Sequence, residues 1–267
     1  MDNRWKTPKA WLFIFISLGG LLILLMGLTE AHPAAAQNAL PQFNLVGNAI
    51  MHEDRLGLTV NQQLHTGAAS LPDKQQVQDG FTAEFQWQIN RVNQRRGAEG
   101  FAFVIHNADG QPFPDILLGE GRHGLGYQGI PNSIAVEFDT VQTPIEDFGS
   151  GKGDPNHNHI SVQTRGTEPN NANTNYSLGF TTQGEPTIPL FANGSRHTTK
   201  IAYTPGTLSI FLDDLTKPVL TVPLDLGATL RLDQEKAWVG LTAATGRRFQ
   251  AHDIYSFSFV GTQTAQQ

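Results

Sequence analysis

The chain contains no cysteine, which rules out a fold stapled by disulfides. Charge is also sparse: Asp, Glu, Lys and Arg make up 16% of the 267 residues, and the net charge is −6. That balance gives no electrostatic footprint for nucleic acid. The basic pairs Arg95-Arg96 and Arg247-Arg248 read as solvated loop residues rather than a phosphate-binding stripe. Between Phe43 and Phe259 no helical period is sustained over about three turns, and no internal repeat is visible. A Ser-His-Asp motif, a nucleophile elbow and a phosphate loop are all missing from the sequence.

What the chain has instead is 27 glycines and many short β-branched or aromatic runs, separated by Gly, Pro, Asn and Asp. Residues 44–46, 56–59, 81–89, 100–106, 134–139, 159–164, 198–203, 207–212, 237–243 and 254–259 read as strands. Phe81, Ala83, Phe85 and Trp87 alternate with Thr82, Glu84, Gln86 and Gln88, the pattern of one apolar core face and one polar outer face. The expectation is an all-β sandwich of two antiparallel sheets, with the first and last strands adjacent and no helix longer than about three turns.

At the amino terminus, Arg4, Lys6 and Lys9 precede an apolar run from Trp11 to Leu28, followed by Ala34-Ala35-Ala36. Residues 1–36 therefore read as a signal peptide cut after Ala36, with an uncleaved membrane anchor as the alternative. Either way residues 37 onward face an exported compartment, secreted or extracytoplasmic. Membrane contact is expected only if the segment stays uncleaved. Residues 37–262 form the folded domain, and 263–267 are a polar tail.

The most informative stretch runs from Pro131 to Val162. Glu137 and Asp139 lie two apart on a strand and share a face. Two carboxylates with no paired cation in the run repel each other and lose hydration unless a positive charge sits between them. Asp154 and His159, beyond a Gly-rich turn, can fold back onto them, and this mixed oxygen and nitrogen set suits a transition metal. Oxygens from Val141 to Asp147, with Asp139 and Asp154, offer an adjoining oxygen-only site of the kind Ca²⁺ prefers.

The runs VEFDT, DP and HI in this stretch, with NLVGNA and GFTAEFQWQI nearer the start, resemble the legume (L-type) lectin family and its secreted bacterial members. The likeness spans residues 43–260 and implies a concanavalin-like jelly-roll sandwich that binds glycans or glycoconjugates. It implies one transition-metal ion, usually Mn²⁺, at Glu137, Asp139, Asp154 and His159. It also implies one Ca²⁺ at Asp139, Asp154 and the carbonyl of Val141. Thr143 stands where the family has an Asn that binds both Ca²⁺ and sugar, and its single hydroxyl is the weaker donor. The insertion Ile145 to Lys152 offers Glu146 or Asp147 as a substitute.

Three loops complete the site that the resemblance implies. In GAEGFAFVIH, Glu99 takes the place of the family's sugar-binding Asp, after an Ala-Glu bond expected to be cis. Gly124, in GRHGLGY, matches a glycine loop whose amide meets the sugar. The loop Thr245 to His252 sets sugar preference in the family, which makes Arg247, Arg248 and Gln250 candidates for specificity and His252 a structural residue. Exposed sheet edges of such a fold leave room for a homo-oligomer.

Two other readings stay open at this point. Glu137-Phe138-Asp139 also resembles the start of the E-x-D-x-E strand of β-glucanase sandwiches, but Val141 stands where the second glutamate belongs. Retaining hydrolysis needs two carboxyl groups about 5 Å apart, so that pair is incomplete. A structural or adhesion module that keeps the fold without binding sugar is the other.

Overall fold

A computed structural model describes residues 39–90, 98–108, 118–148, 153–181 and 188–262. The expected signal peptide or anchor and the polar tail lie outside the described residues.

The strands are β1 (Asn44–Gly47), β2 (Ile50–Met51), β3 (Leu56–Thr59), β4 (Thr66–Ser70), β5 (Gln75–Gln76), β6 (Phe81–Ile89), β7 (Gly100–His106), β8 (Ser133–Asp139), β9 (His159–Thr164), β10 (Ser177–Phe180), β11 (Arg196–Thr204), β12 (Gly206–Leu212), β13 (Leu220–Leu224), β14 (Lys236–Ala244) and β15 (His252–Gly261). One sheet runs β1-β4-β14-β7-β8-β9-β10, with β5 also on β14, and the other runs β13-β12-β11-β6-β15-β3-β2. Every pairing between them is antiparallel. The only α-helices among the described residues are the four-residue turns Ile145–Phe148 and Leu226–Thr229. This is the sandwich of two antiparallel sheets that the alternating runs predict.

The inner faces meet in one aromatic core. Phe85, Trp87, Phe101, Phe103 and Phe138 are all essentially inaccessible to solvent. Phe101 stacks on Phe138 at 4.6 Å between centroids, and Trp87 meets Phe101 edge-on at 5.0 Å. The Trp87 indole N–H donates to Thr199 Oγ1 at 2.9 Å, so the largest core side chain is not left with an unpaired donor.

One expectation is only partly met. β1 edges the first sheet, whereas β15 lies inside the second. The segment ahead of β1 reaches β15, where the Phe257 N–H donates to the Ala39 carbonyl and the rings of Phe43 and Phe257 lie 5.5 Å apart. The chain then crosses the sandwich edge, with Phe43 buried as the crossing point.

The strand β4 was not apparent from its residues, Thr-Gly-Ala-Ala-Ser, because it is chosen for small size. A Cβ on Gly67 would stand 2.0 Å from the Leu58 carbonyl oxygen of the other sheet. β13 carries Pro223 and sits at a sheet edge, where a missing N–H is tolerated.

The outer face of β7 and β8 is buried as well. Ala102, Val104 and Ala135 form a second apolar cluster with Leu125, Tyr127, Ile130 and Ala172, contributed by loops. These loops make a third layer over the face that carries Glu137 and Asp139, and so take both carboxylates out of water.

Truncating Phe138 to Ala leaves a void between both sheets and Phe101, and the expected loss is about 3–5 kcal/mol of stability. Urea unfolding of the variant measures it; a loss under about 1 kcal/mol would contradict this account of the core.

Candidate functional site

Strand register assembles the acidic set. Asp139 stands opposite His159 on β9 and Gly100 on β7, and Glu137 stands opposite Ser161. Gly100 is required at its position, since it has φ +152 and a Cβ there would lie 2.3 Å from the Phe138 carbonyl oxygen. Glu137, Asp139, Asp154 and His159 are all buried, and the register and hydrogen bonds place them in one neighbourhood.

Each group already has protein partners. Glu137 accepts short hydrogen bonds from the hydroxyls of Tyr127 and Ser161, and one from Gln163 Nε2 at 3.2 Å. Asp139 Oδ1 accepts from the Val141 N–H at 2.6 Å, and Asp154 Oδ2 from the Thr143 N–H at 2.8 Å. His159 Nδ1 lies 3.0 Å from the Asn156 carbonyl. A carbonyl can only accept, so Nδ1 carries the proton and Nε2 keeps a lone pair.

The electrostatics of the set are one-sided. Burial pushes Glu137 up to about 7, against the hydrogen bonds from Ser161 and Tyr127. Burial, then the charges of Asp154 and Glu137, hold Asp139 well above the usual carboxylate range. Burial raises Asp154 to about 6 and lowers His159 to about 4, which keeps the imidazole neutral. The ion pairs among the described residues involve none of these four groups.

As placed, no three His, Asp or Glu side chains among the described residues converge on one point that could hold an ion. The donor chemistry nevertheless fits a cation. Three buried carboxylates without a basic partner, beside a neutral imidazole anchored through Nδ1, are the ligand types that a divalent metal takes. Asp139, Asp154, the Val141 carbonyl and the buried Thr143 hydroxyl are the oxygens that could hold Ca²⁺, and Glu137 and His159 could complete a mixed set for a transition metal.

Next to this set opens a cleft of about 560 Å³, lined by residues that include Glu99, Arg122, His123, Val141, Thr143, Asp147, Gly246, Arg247 and Arg248. The Ala98-Glu99 peptide bond is cis. The Glu99 carbonyl accepts from both the N–H and the hydroxyl of Thr140, each at 2.9 Å, and its N–H donates to the Ala244 carbonyl at 3.0 Å. These bonds tie the loop before β7 to the end of β8 and to β14. Its carboxylate packs on Gly246, where an added Cβ would fall 1.9 Å from Glu99 Oε1. Burial raises Glu99 to about 7, opposed by the nearby charge of Arg248.

Gln250 and Gly124 lie elsewhere than the resemblance implies. Gln250 is buried behind the cleft, where Oε1 accepts from the Ala98 N–H at 3.0 Å and Nε2 donates to the Asn90 carbonyl at 2.7 Å. It positions the Ala98-Glu99 turn rather than facing the opening. The Gly124 N–H is used within its own turn, donating to the Gly121 carbonyl at 3.1 Å, and Gly124 does not line the cleft. Arg122 and His123 take its place in the wall. The sequence offered little sign of them, because the run GRHGLGY draws attention to its glycines. Glu146 is exposed and lies outside the lining, whereas Asp147 reaches it.

His252 opens β15 as a structural residue, buried, with Nδ1 2.6 Å from Thr59 Oγ1. Burial lowers it from the ordinary value of 6.5 to about 3. The unfolded chain then binds more protons than the folded one between those values, so this contribution is complete above pH 6.5 and is lost as pH falls toward 3. Thermal unfolding of wild type and His252→Gln across that window should show the wild-type midpoint falling relative to the variant's as pH drops, since the other shifted groups are common to both proteins. An equal slope in both proteins would contradict the assignment.

The legume lectin domain family model matches residues 35–267. Lectin 8 of Medicago truncatula is 30% identical over 208 residues, covering 72% of this chain and 68% of that protein. Among solved structures, lectin I-B4 of Griffonia simplicifolia in its metal-free form aligns with a TM-score of 0.63 at 22% identity, covering 83% of this chain and 93% of that one. The exoplasmic/lumenal domain of VIP36, in a Ca²⁺- and Man2-bound form, aligns with a TM-score of 0.62 at 14% identity, covering 85% and 84%. At these identities the two structures speak for the fold alone.

Proposed function

The chain belongs to the legume lectin domain family, and from that premise we propose that it is a metal-dependent carbohydrate-binding protein acting outside the cytoplasm. The observation that carries the reading is Glu99, whose main chain is held by three hydrogen bonds and whose carboxylate packs on Gly246 at the wall of a polar cleft that adjoins the buried acidic set. A fixed carboxylate can accept hydrogen bonds from two vicinal hydroxyls, which is how a shallow polar cleft grips a sugar.

In this reading Glu137, Asp139, Asp154 and His159 hold a transition metal such as Mn²⁺. Asp139, Asp154, the Val141 carbonyl and Thr143 hold Ca²⁺. When bound, the ions supply the positive charge that the carboxylates lack and fix the loop 140–147 against the cleft. Binding is non-enzymatic, as it is for lectins. The hydrolase alternative is set aside because the relatives are lectins and Val141 stands where the E-x-D-x-E strand has its second glutamate. Residues 1–36 serve export, whether cleaved or retained as an anchor.

A glycan array probed with metal-loaded protein, with and without a chelator, tests the reading. Binding should be present with metal, absent after chelation and lost in Glu99→Ala. Binding unchanged in that variant would remove Glu99 from the site, and binding to no glycan would favour a structural module instead.

A further inference from the structure

The chain carries a net charge of −6 and few charged residues, yet three guanidinium groups gather at one opening. Arg122 comes from the glycine-rich loop and Arg247 and Arg248 from the loop between β14 and β15. All three are exposed, and none takes part in an ion pair among the described residues. The carboxylates that share the opening are Glu99 and Asp147. Arg248 and Arg122 act on Glu99 through their charge without forming an ion pair with it.

The backbones beneath these side chains are held in place. The Gly246 N–H donates to the Arg248 carbonyl at 3.1 Å, Gln63 Nε2 to the Arg247 carbonyl at 2.7 Å and the Leu64 N–H to the Gly246 carbonyl at 3.1 Å. Arg122 sits at φ 56, in the left-handed region that residues other than glycine seldom occupy. Its carbonyl accepts from the Leu125 N–H at 2.9 Å. Arginines kept only for solubility need neither a fixed backbone nor a common mouth. A guanidinium whose backbone is held and whose head has no carboxylate partner is available to receive an oxyanion in a bidentate pair.

We propose that the cleft takes a glycan bearing an anionic group, a ring carboxylate or a sulfate ester, with Arg122, Arg247 and Arg248 receiving the anion while Glu99 receives neighbouring hydroxyls. The proposal rests on the carbohydrate-binding reading and narrows it. Glu99 and Asp147 in the same opening disfavour a densely charged polyanion such as a nucleic acid. They are compatible with one oxyanion flanked by neutral hydroxyls.

The test is an array of matched pairs probed with the full, metal-loaded protein: oligogalacturonate and sulfated galactooligosaccharide against neutral galactooligosaccharide, and oligomannuronate against mannooligosaccharide. At least one acidic member should bind about tenfold or more tightly than its neutral counterpart, and this preference should weaken as salt is raised. Comparing the uronate and sulfate arms identifies the oxyanion. Arg122→Gln and Arg248→Gln should each lower the acidic-to-neutral ratio toward one. Neutral sugars bound as tightly as their acidic counterparts, with a ratio unmoved by either variant, would overturn the proposal and leave the carbohydrate-binding reading standing. Binding to no sugar on the array would overturn both.

Discussion

Negative charge kept out of water without a positive partner is the constraint on which the site depends. The outer face of β8 would be solvated in an ordinary sandwich. Here the layer of loops that brings in Tyr127, Leu125 and Ala172 seals it, and Glu137 and Asp139 become as inaccessible as the core phenylalanines. Carboxylates so placed resist ionisation, and each makes ionisation of the next harder. A divalent cation would resolve that conflict more completely than hydrogen bonds from neutral donors can. The same burial that disfavours charge strengthens attraction to an ion once one is present.

The cleft is fastened to this set by hydrogen bonds between segments far apart in sequence. Gln250 joins the Ala98 N–H to the Asn90 carbonyl, Thr140 joins the end of β8 to the Glu99 carbonyl, and residues 62–65 hold the turn at 246–248. Because β7, β8 and β14 are neighbours in one sheet, the same hydrogen bonds that end β8 hold the turn that carries Glu99.

Much of the architecture could be read from the residues. The bounds of β3, β6, β7 and β9 follow from alternation and β-branched runs, because packing of one face against a core imposes that pattern. β4 escaped because close approach of the sheets selects small residues, which carry no strand signature, and β13 because an edge tolerates a proline. Asp139 opposite His159 was legible once both were placed on strands. The roles of Gln250 and Gly124 were not, since they depend on whether an amide is already used by a partner distant in sequence or within its own turn. Arg122 and His123 were hidden in a run whose glycines suggest a backbone role. The sealing of Glu137 by Tyr127 is a tertiary contact that no local pattern announces.

Metal content, measured by elemental analysis of the purified wild-type protein and of Asp139→Ala, tests the central claim most directly. The account predicts Ca²⁺ and a transition metal in the wild type and the loss of both from the variant, because Asp139 belongs to both sets of ligands. A variant that folds and keeps its full metal content would contradict it, as would a wild-type protein that takes up neither ion when both are supplied.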